Sequence, residues 1–326
     1  MISIDHVFNN QFYKKSSWIY LFIPLSVLLN FINILKNFLY EKKVLKKIKV
    51  KVPVIIIGNI TLGGTGKTPL ALNLINQFLN IGLRPGLISR GYGRNATNTT
   101  EVFGFSDVRH VGDEALLIKT KSKIPVFVGK DRVSAAESLL HKYPKTSLII
   151  CDDGLQHIKL DRDYEILVID AQRKFGNGFL FPAGPLREST ARLDKVDAVV
   201  VKGKKYNSNY YQMKYSANKL INLKTLSQGS FSKIKKKKII AITAIGNPDS
   251  FFSLLTKKKL DFKKVIFDDH YIFKENDFIN YQDYNIIMTE KDAIKCKNFA
   301  NKNFWQLPIE TIVDDGLFQD ILEKVV

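Results

Sequence analysis

Short apolar runs alternate with stretches of helical periodicity along most of the chain. The first runs lie at 52–57, 85–89, 125–128, 147–151, 166–170 and 197–201. Runs without polar alternation are typical of strands buried on both faces, and their alternation with helices indicates a parallel sheet covered on both sides. We therefore predict an α/β fold with a doubly wound, mostly parallel sheet.

The pattern changes after residue 201. The stretch 202–237 is rich in Lys, Asn, Ser and Tyr and lacks periodicity, which predicts a basic linker. Further apolar runs predict a smaller C-terminal α/β domain with strands at 239–244, 264–267, 285–289 and 304–307 and a helix near 249–257. The expected regions are an N-terminal apolar helix with its basic flank (1–45), a core (46–201), the linker (202–237) and the smaller domain (238–326).

The N-terminal segment 16–35 has 20 residues without a charge. As a helix it would be ~30 Å long, the thickness of the hydrocarbon core of a bilayer. Pro24 interrupts it, and one polar stripe follows the predicted helix through Ser26, Asn30, Asn33 and Asn37. The stripe favours a helix lying in the membrane interface, while a single span and a buried core helix stay open as alternatives.

The length of the chain and its cysteines indicate how many packed units to expect and in which compartment the protein lies. A chain of 326 residues exceeds the ~250–300 at which one hydrophobic core stops growing, so two packed units are expected. Cys151 and Cys296 have no metal-ligand spacing, which favours a reducing compartment.

Two stretches hold most of the net charge of +19: residues 1–51 have nine lysines against two acids, and 202–238 have eleven lysines and no acid. Such stretches suit a polyanion or an anionic membrane, although lysine-rich solvated loops remain an alternative. Nucleic acid is not expected as a partner, because no aromatic and basic module is present and the N-terminus is apolar.

A glycine-rich loop follows the first predicted strand and precedes a helix with apolar residues on one face. Strand, loop and helix are the context of a P-loop, whose backbone N–H groups bind phosphates. Lys67 would reach the β- and γ-phosphates of a nucleotide, and Thr68 would offer its hydroxyl to Mg²⁺. The chain departs from the strict pattern at Thr61, which stands where the first glycine is usual. The fold is therefore expected to be P-loop NTPase-like. The loop residues are Thr61, Leu62, Gly63, Gly64, Thr65, Gly66, Lys67 and Thr68.

The second half of such a nucleotide site is an apolar strand that ends in an acidic residue. The run 147–151 ends at Asp152 and Asp153. Adjacent carboxylates at the end of a strand repel each other unless a cation lies nearby, so both are candidate metal ligands. Capping of the following turn is the alternative for Asp153. The neighbouring His157 could orient a phosphate or simply pack.

Seven sequence blocks, in order, resemble the signature of the tetraacyldisaccharide 4′-kinase family, the lipid A 4′-kinases. They extend from the N-terminal helix to about residue 310. The blocks are Gly58-Asn59 with Gly63-Gly64-Thr65-Gly66-Lys67-Thr68-Pro69, Ser89-Arg90-Gly91-Tyr92-Gly93, Val111-Gly112-Asp113-Glu114-Ala115, Asp152-Asp153-Gly154-Leu155-Gln156-His157, Phe181-Pro182-Ala183-Gly184-Pro185-Leu186-Arg187-Glu188, Asp269-His270-Tyr271 and Thr289-Glu290-Lys291-Asp292-Ala293.

The resemblance implies transfer of the γ-phosphoryl group of ATP, with Mg²⁺, to the 4′-hydroxyl of a tetraacyldisaccharide 1-phosphate lipid. It also implies attachment through the N-terminal helix to the cytoplasmic face of the inner membrane of a Gram-negative bacterium. By the same resemblance, Asp113 would be the base and His270 would pair with it, while Asp152, Asp153 and Glu114 would join Thr68 on the metal side. Without the resemblance, Asp113 would more simply cap the helix that follows it.

Arginine usage points to one further phosphate ligand. All nine arginines lie between Arg84 and Arg192, the span that holds most of the motifs. Arginine suits bidentate phosphate contacts, so Arg90 is a candidate ligand for ATP or for the lipid 1-phosphate, with a solvated loop residue as the alternative. A membrane-associated regulatory P-loop NTPase that acts on a protein partner is the competing functional hypothesis.

Overall fold

Two sheets organise the chain. The computed structural model describes residues 12, 17–94 and 97–325. The part of the predicted region 1–45 that precedes residue 17 lies, apart from Phe12, outside the described residues.

Within the described residues, the larger sheet has nine strands and the smaller has six. The strands of the larger sheet are β1 (Val54–Gly58), β2 (Pro85–Ser89), β3 (Thr100–Glu101), β4 (Val126–Val128), β5 (Leu148–Asp152), β6 (Tyr164–Asp170), β7 (Ala198–Lys202), β8 (Tyr211–Ser216) and β15 (Glu310–Val313). Those of the smaller sheet are β9 (Leu220–Asn222), β10 (Gln228–Gly229), β11 (Ile239–Thr243), β12 (Lys263–Ile266), β13 (Asn285–Thr289) and β14 (Phe304–Leu307). The α-helices are α1 (Ile23–Glu41), α2 (Lys67–Asn80), α3 (Val108–Val111), α4 (Asp113–Ser122), α5 (Arg132–Lys142), α6 (Phe231–Ile234), α7 (Pro248–Lys257), α8 (Glu290–Cys296) and α9 (Gly316–Val325), and 3-10 turns cover Ser17–Phe22, Thr190–Lys195 and Glu275–Tyr281.

The larger sheet is parallel except at its two edges. Its strand order is β15-β8-β7-β6-β1-β5-β2-β4-β3, and only the edge strands β3 and β15 pair antiparallel within this described sheet. Helices α2, α4 and α9 pack on one face, and α5 packs on the other. The predicted doubly wound α/β fold is thereby confirmed. Since parallel strands end at one edge, the carboxyl ends of β1, β2, β5 and β6 meet there, at the switch point where such folds bind ligands.

The smaller sheet is built around β11, which pairs in parallel with β12 and β13. Helix α7 buries Phe251, Phe252 and Leu255 against one face. Helix α8 buries Ala293 and Cys296 against the other. The predicted smaller α/β unit is therefore present, and its strands coincide closely with the predicted apolar runs.

The structure differs from the expected organisation in two places. The stretch 202–237, expected to be a linker, contains β8 of the larger sheet and β9, β10 and α6 of the smaller unit. The stretch 310–325, expected to belong to the smaller domain, returns to the larger sheet as β15 and α9. The return is driven by burial, because α9 packs Leu317 and Ile321 fully against the core of the larger sheet.

Helix α1 contacts the larger unit through Ser26, the first residue of the predicted polar stripe. The Ser26 hydroxyl, the one buried side chain of this helix, donates to the Leu180 carbonyl at 2.9 Å and accepts from the Ala183 N–H at 3.0 Å. The opposite side exposes large apolar residues, among them Val27 and Phe31, each more than 60% exposed. This exposure is incompatible with a buried core helix. By length and composition the segment Ile19–Glu41 could also cross a membrane.

Candidate active site

The phosphate loop connects β1 to α2 at the carboxyl edge of the larger sheet. Gly63 and Gly66 have φ values of 92° and 104°, a region that side chains with a Cβ rarely adopt. A Cβ at Gly66 would also collide with the Tyr215 hydroxyl. Thr61, the departure from the usual glycine, does not have a positive φ and forms an antiparallel bridge with Leu186, so a side chain is tolerated there.

The sequence-predicted lysine lies inside this loop. Lys67 Nζ donates to Asn59 Oδ1 at 3.0 Å and lies 3.3 Å from Asp153 Oδ1. Asn59 is fully buried and its amide donates to the Thr61 carbonyl at 2.7 Å, so it joins the two ends of the loop. The Lys67 ammonium is thus held at the mouth of the loop, where it can meet phosphate oxygens.

Asp152 and Asp153 point to different partners although they are adjacent. Asp152 ends β5, is 1% exposed and accepts from the Thr68 hydroxyl at 3.3 Å. Asp153 has a φ of 55°, and this left-handed turn directs its carboxylate to Lys67 and to Arg187 Nη1, which lies 3.2 Å from both oxygens. Both were predicted on the metal side, and the structure places Asp152 beside Thr68 and Asp153 in an ion-pair cluster.

The two carboxyl groups also differ in their electrostatics. Burial raises the pKa of Asp152 to about 7, and the charge of Glu114 adds to the rise. Burial would likewise raise the pKa of Asp153, but Lys67 and Arg187 outweigh it and hold the pKa well below its usual range. The charge of Lys67 offsets only part of the rise at Asp152, which forms no direct ion pair within the described residues.

The surroundings of Asp152 fit a magnesium ion that is bound partly by protein oxygens and partly by phosphate oxygens. Its Oδ1 is buried and has no hydrogen-bond partner among the described residues. No group of three or more His, Cys, Asp or Glu side chains that could hold a metal occurs in the described part of the chain. Mg²⁺ is typically bound by one or two protein oxygens together with phosphates and water, which matches this sparse donor set.

Asp113 and His270, 157 residues apart, meet across the cleft between the two units. Helix α4 begins at Asp113 after Gly112, whose φ is 84°. The Asp113 carboxylate is 3% exposed, and both its oxygens lie within hydrogen-bond distance of His270 Nδ1, at 3.0 and 3.1 Å. The Tyr92 ring packs against the imidazole with centroids 4.7 Å apart.

This contact changes the proton affinity of both groups. Burial would raise the pKa of Asp113, but the Lys291 ammonium and the His270 ring outweigh it and hold the pKa well below its usual range. Burial and the charge of Lys291 would lower the pKa of His270, yet its hydrogen bond to Asp113 and the charges of Asp113 and Asp269 together raise it. The pair therefore consists of a firmly ionised carboxylate and an imidazole of increased basicity.

A second set of contacts joins the smaller unit to the larger one beside the phosphate loop. Asp170, at the end of β6, has its Oδ2 atom 2.6 Å from Lys202 Nζ and 2.6 Å from Asn247 Nδ2. A Cβ at Gly246 would lie 2.9 Å from the Gly64 nitrogen and 2.7 Å from Asp269 Oδ2. The loop before α7 thus lies directly against the phosphate loop, and Asp269, the residue before His270, lies against Gly246.

Sequence reasoning assigned no role to several of these residues. Lys291 was quoted in a signature block, and its ammonium contacts Glu114 at 3.1 Å and Asp113 at 3.7 Å. Asp170 could have been suspected, because it ends a buried strand at the same sheet edge as Asp152. Lys202 and Asn247 carry no local signal, since neither belongs to a recognisable motif.

Arg90 and His157 lie on the outer side of the same sheet edge. Arg90 is exposed directly after β2. Burial lowers the pKa of His157 to about 4, and the charges of Arg132 and Arg90 lower it further. Arg132, His157 and Lys159 contribute to the lining of a cavity of about 470 Å³. Arg132 is only 2% exposed and donates to the Asp153 carbonyl at 3.4 Å, so the cavity lies next to Asp153.

Known proteins are similar to this chain along nearly its whole length. The family model described as tetraacyldisaccharide-1-P 4′-kinase matches residues 18–326. Tetraacyldisaccharide 4′-kinase from Methylobacillus flagellatus is 40% identical over 324 residues, covering 99% of this chain and 97% of that protein. The relative of the same name from Pasteurella multocida is 39% identical over 318 residues, covering 96% and 97%.

A solved structure agrees with these relatives. The crystal structure of LpxK from Aquifex aeolicus in complex with ATP matches with a TM-score of 0.81 and 27% identity, covering 95% of this chain and 100% of that chain. The sequence and the fold thus both match this family over nearly the whole chain. This chain belongs to the tetraacyldisaccharide 4′-kinase family.

Proposed function

We propose that this chain transfers the γ-phosphoryl group of ATP to the 4′-hydroxyl of a tetraacyldisaccharide 1-phosphate lipid, giving the 4′-phosphorylated product of lipid A biosynthesis and ADP. The observation that carries the proposal is the meeting of the Asp113 and His270 pair with the phosphate loop at one sheet edge. A kinase acting on a sugar hydroxyl needs a base close to the bound γ-phosphate. A switch NTPase, which positions water, has no need of such a pair from a second unit.

We assign the proton acceptor to His270 and the orienting role to Asp113, which reverses the roles that the resemblance implied. Asp113 is almost inaccessible, and both its oxygens face His270 Nδ1. His270 Nε2 is 3.7 Å from Asp269 and makes no hydrogen bond within the described residues. With Nδ1–H donated to Asp113, Nε2 carries the lone pair that can accept the hydroxyl proton.

The transfer then balances as a single displacement. The 4′-oxygen forms a bond to the γ-phosphorus, and the bond from that phosphorus to the β–γ bridging oxygen breaks. The hydroxyl proton moves to His270 Nε2, and the ionised Asp113 stabilises the imidazolium that results. Lys67 stands where it neutralises charge on the transferring group.

Thr68 and Asp152 are the residues that would hold Mg²⁺, which when bound neutralises phosphate charge. The carboxylate of Glu114 is paired with Lys291 at 3.1 Å, so we assign it an electrostatic effect on Asp152 and not a ligand role. The carboxylate of Asp153 fixes Lys67 and Arg187 in place. The metal site thus uses fewer protein ligands than the four named from the sequence.

Membrane attachment is proposed through α1, at the cytoplasmic face of the inner membrane of a Gram-negative bacterium. The exposed apolar side of α1 and the lysines at 42–51 support it, since apolar area and positive charge both favour an anionic lipid surface. Arg90, which is exposed directly after β2, is proposed to bind a phosphate, either of ATP or the 1-phosphate of the lipid.

The function is tested by incubating the purified protein with γ-labelled ATP, Mg²⁺ and the tetraacyldisaccharide 1-phosphate in detergent micelles. Transfer of the label to the lipid, located at the 4′-position by mass spectrometry, is the expected result. Release of labelled inorganic phosphate at the same rate with and without lipid would instead favour the regulatory NTPase.

A further inference from the structure

We propose that Lys291, on α8 of the smaller unit, is a positioning residue that fixes the Asp113 carboxylate when the two units dock. The proposal rests on the proposed function, because it concerns the alignment of the proposed Asp113 and His270 pair. Lys291 contacts that pair at Asp113 Oδ1.

The contacts of Lys291 come from both units. Its ammonium lies 3.7 Å from Asp113 Oδ1 and 3.1 Å from Glu114 Oε1, both on α4 of the larger unit. It also lies 3.7 Å from Asp269 Oδ1 in its own unit. The Lys291 side chain is only 15% exposed, so the positive charge is shared among three carboxylates with little access to water. Buried ammonium groups need such compensation, and here two of the three partners exist only when the units are docked.

Lys295, one turn further along α8, supports the same carboxylate differently. It lies 3.6 Å from Asp113 Oδ2 but 2.9 Å from Asp292. Asp292 is fully buried and is held by the hydroxyls of Thr243 and Thr289 at 2.8 and 2.7 Å. Lys295 is therefore anchored within the smaller unit whether or not the units are docked.

The two ammonium groups flank opposite oxygens of one carboxylate. Lys291 is beside Oδ1 and Lys295 beside Oδ2, while His270 Nδ1 faces both oxygens. This arrangement fixes the plane of the carboxylate and hence the ring orientation of His270. Lys291 also separates the adjacent charges of Asp113 and Glu114, which would otherwise repel each other in a poorly hydrated site.

Nearby, the chain offers a matched control in the same interface. Lys121 on α4 pairs with Glu290 on α8, with distances of 2.8 and 3.0 Å from its Nζ. This ion pair also joins the two units, but Lys121 is 35% exposed and contacts none of the residues assigned to the reaction. Lys121→Met therefore removes an ion pair between the units without disturbing Asp113.

The test compares Lys291→Met, Lys291→Arg and Lys121→Met in the lipid kinase assay, with thermal unfolding followed in parallel. Misplacing a reacting group by about 1 Å costs roughly 10²-fold in rate. We expect kcat of Lys291→Met to fall by about that factor while KM for ATP stays within a few-fold, with partial recovery in Lys291→Arg. Lys121→Met should stay within about two-fold of the parent chain.

A double variant separates positioning from general structural damage. If Lys291 acts through His270, adding Lys291→Met to His270→Ala should lower kcat little further, because residues acting as a unit are not additive. Independent losses that multiply, or equal kcat values for Lys291→Met and Lys121→Met, would overturn the proposal. An absence of lipid phosphorylation in the parent chain would overturn the proposed function instead, so the two failures are distinguishable.

Discussion

Removing the charge of Asp113 provides the sharpest test of how the pair accepts a proton. Asp113→Asn keeps the size of the side chain and removes the carboxylate that raises the pKa of His270. The amide can also donate to Nδ1, which would place the imidazole proton on Nε2, the atom that must accept. We therefore expect that fewer molecules have the His270 tautomer with Nε2 free to accept, and that His270 is a weaker base.

The expected loss follows from what a positioned base contributes. General base catalysis typically supplies 10²–10⁴-fold, equivalent to about 3–5 kcal/mol at ~1.4 kcal/mol per decade. Because His270 Nδ1 faces both Asp113 oxygens and Asp113 is almost inaccessible, the carboxylate should act only through the imidazole. Asp113→Asn, His270→Ala and the double variant should thus show kcat losses of similar size.

The pH dependence of kcat/KM shows in which direction the pKa of His270 changes in the variant. The imidazole must be unprotonated to accept a proton, so activity falls as pH drops through the pKa of His270. In the parent chain that pKa is raised above the ordinary histidine value of ~6.5. In Asp113→Asn, burial and Lys291 still lower the pKa of His270, and of the groups that raise it only Asp269 remains. The acidic limb of the profile should therefore move to lower pH, and the maximal activity should be reduced.

The assay is lipid phosphorylation across pH, with ATP binding measured separately. His110→Ala is the control, because His110 is exposed on α3 only three residues from Asp113 and should change neither plateau nor limb. An acidic limb that stays in place or moves to higher pH in Asp113→Asn would refute the assignment of His270 as acceptor. A double variant whose kcat loss is the product of the two single losses would refute the conclusion that Asp113 and His270 act together.

Three further outcomes follow from the site and from α1. Lys67→Ala should lower kcat by roughly 10²–10³ in steady-state kinetics, as expected for loss of one preorganised electrostatic group, and near-normal turnover at saturating ATP would contradict the loop assignment. Asp152→Ala should raise the Mg²⁺ concentration needed for half-maximal activity, whereas an unchanged titration would remove Asp152 from the metal side. Deletion of residues 1–38 should move the protein to the soluble fraction and reduce activity on long-chain lipid more than basal ATP hydrolysis; equal losses would point to a core role. High salt should release the intact protein poorly, since an apolar attachment is not screened as charge is at a Debye length of ~3 Å in 1 M salt.

The strands that could be predicted from sequence are those buried on both faces. The central strands β1, β5 and β6 are continuous apolar runs, because each has parallel neighbours and covered faces. β8 escaped prediction because it lies near the edge of the sheet and its residues are mostly half-exposed, including a lysine. The lysines of the stretch 202–237 interrupt the apolar pattern typical of a strand, and the same composition is typical of a linker.

Sheet membership could not be predicted for the last elements. β15 and α9 have ordinary strand and amphipathic patterns, but those patterns say nothing about which sheet they join. Tertiary partners decide it: Phe318 of α9 packs on Phe78 with ring centroids 5.1 Å apart, and Asp320 accepts from the Tyr164 hydroxyl at 2.8 Å. These contacts span more than 150 residues, so local periodicity carries no trace of them.

The sequence likewise predicted where the motifs lie but not which partner each motif residue contacts. The phosphate loop and the two acids were predictable because strand, loop and helix are contiguous. The different fates of Asp152 and Asp153 were not, since a single left-handed residue directs one carboxylate to Lys67 and leaves the other beside Thr68. A backbone angle that the residue type does not predict thus decides which of the two acids pairs directly with Lys67. The acid in direct ion pairs, Asp153, stabilises the loop, and the acid without a direct ion pair, Asp152, is available to a metal.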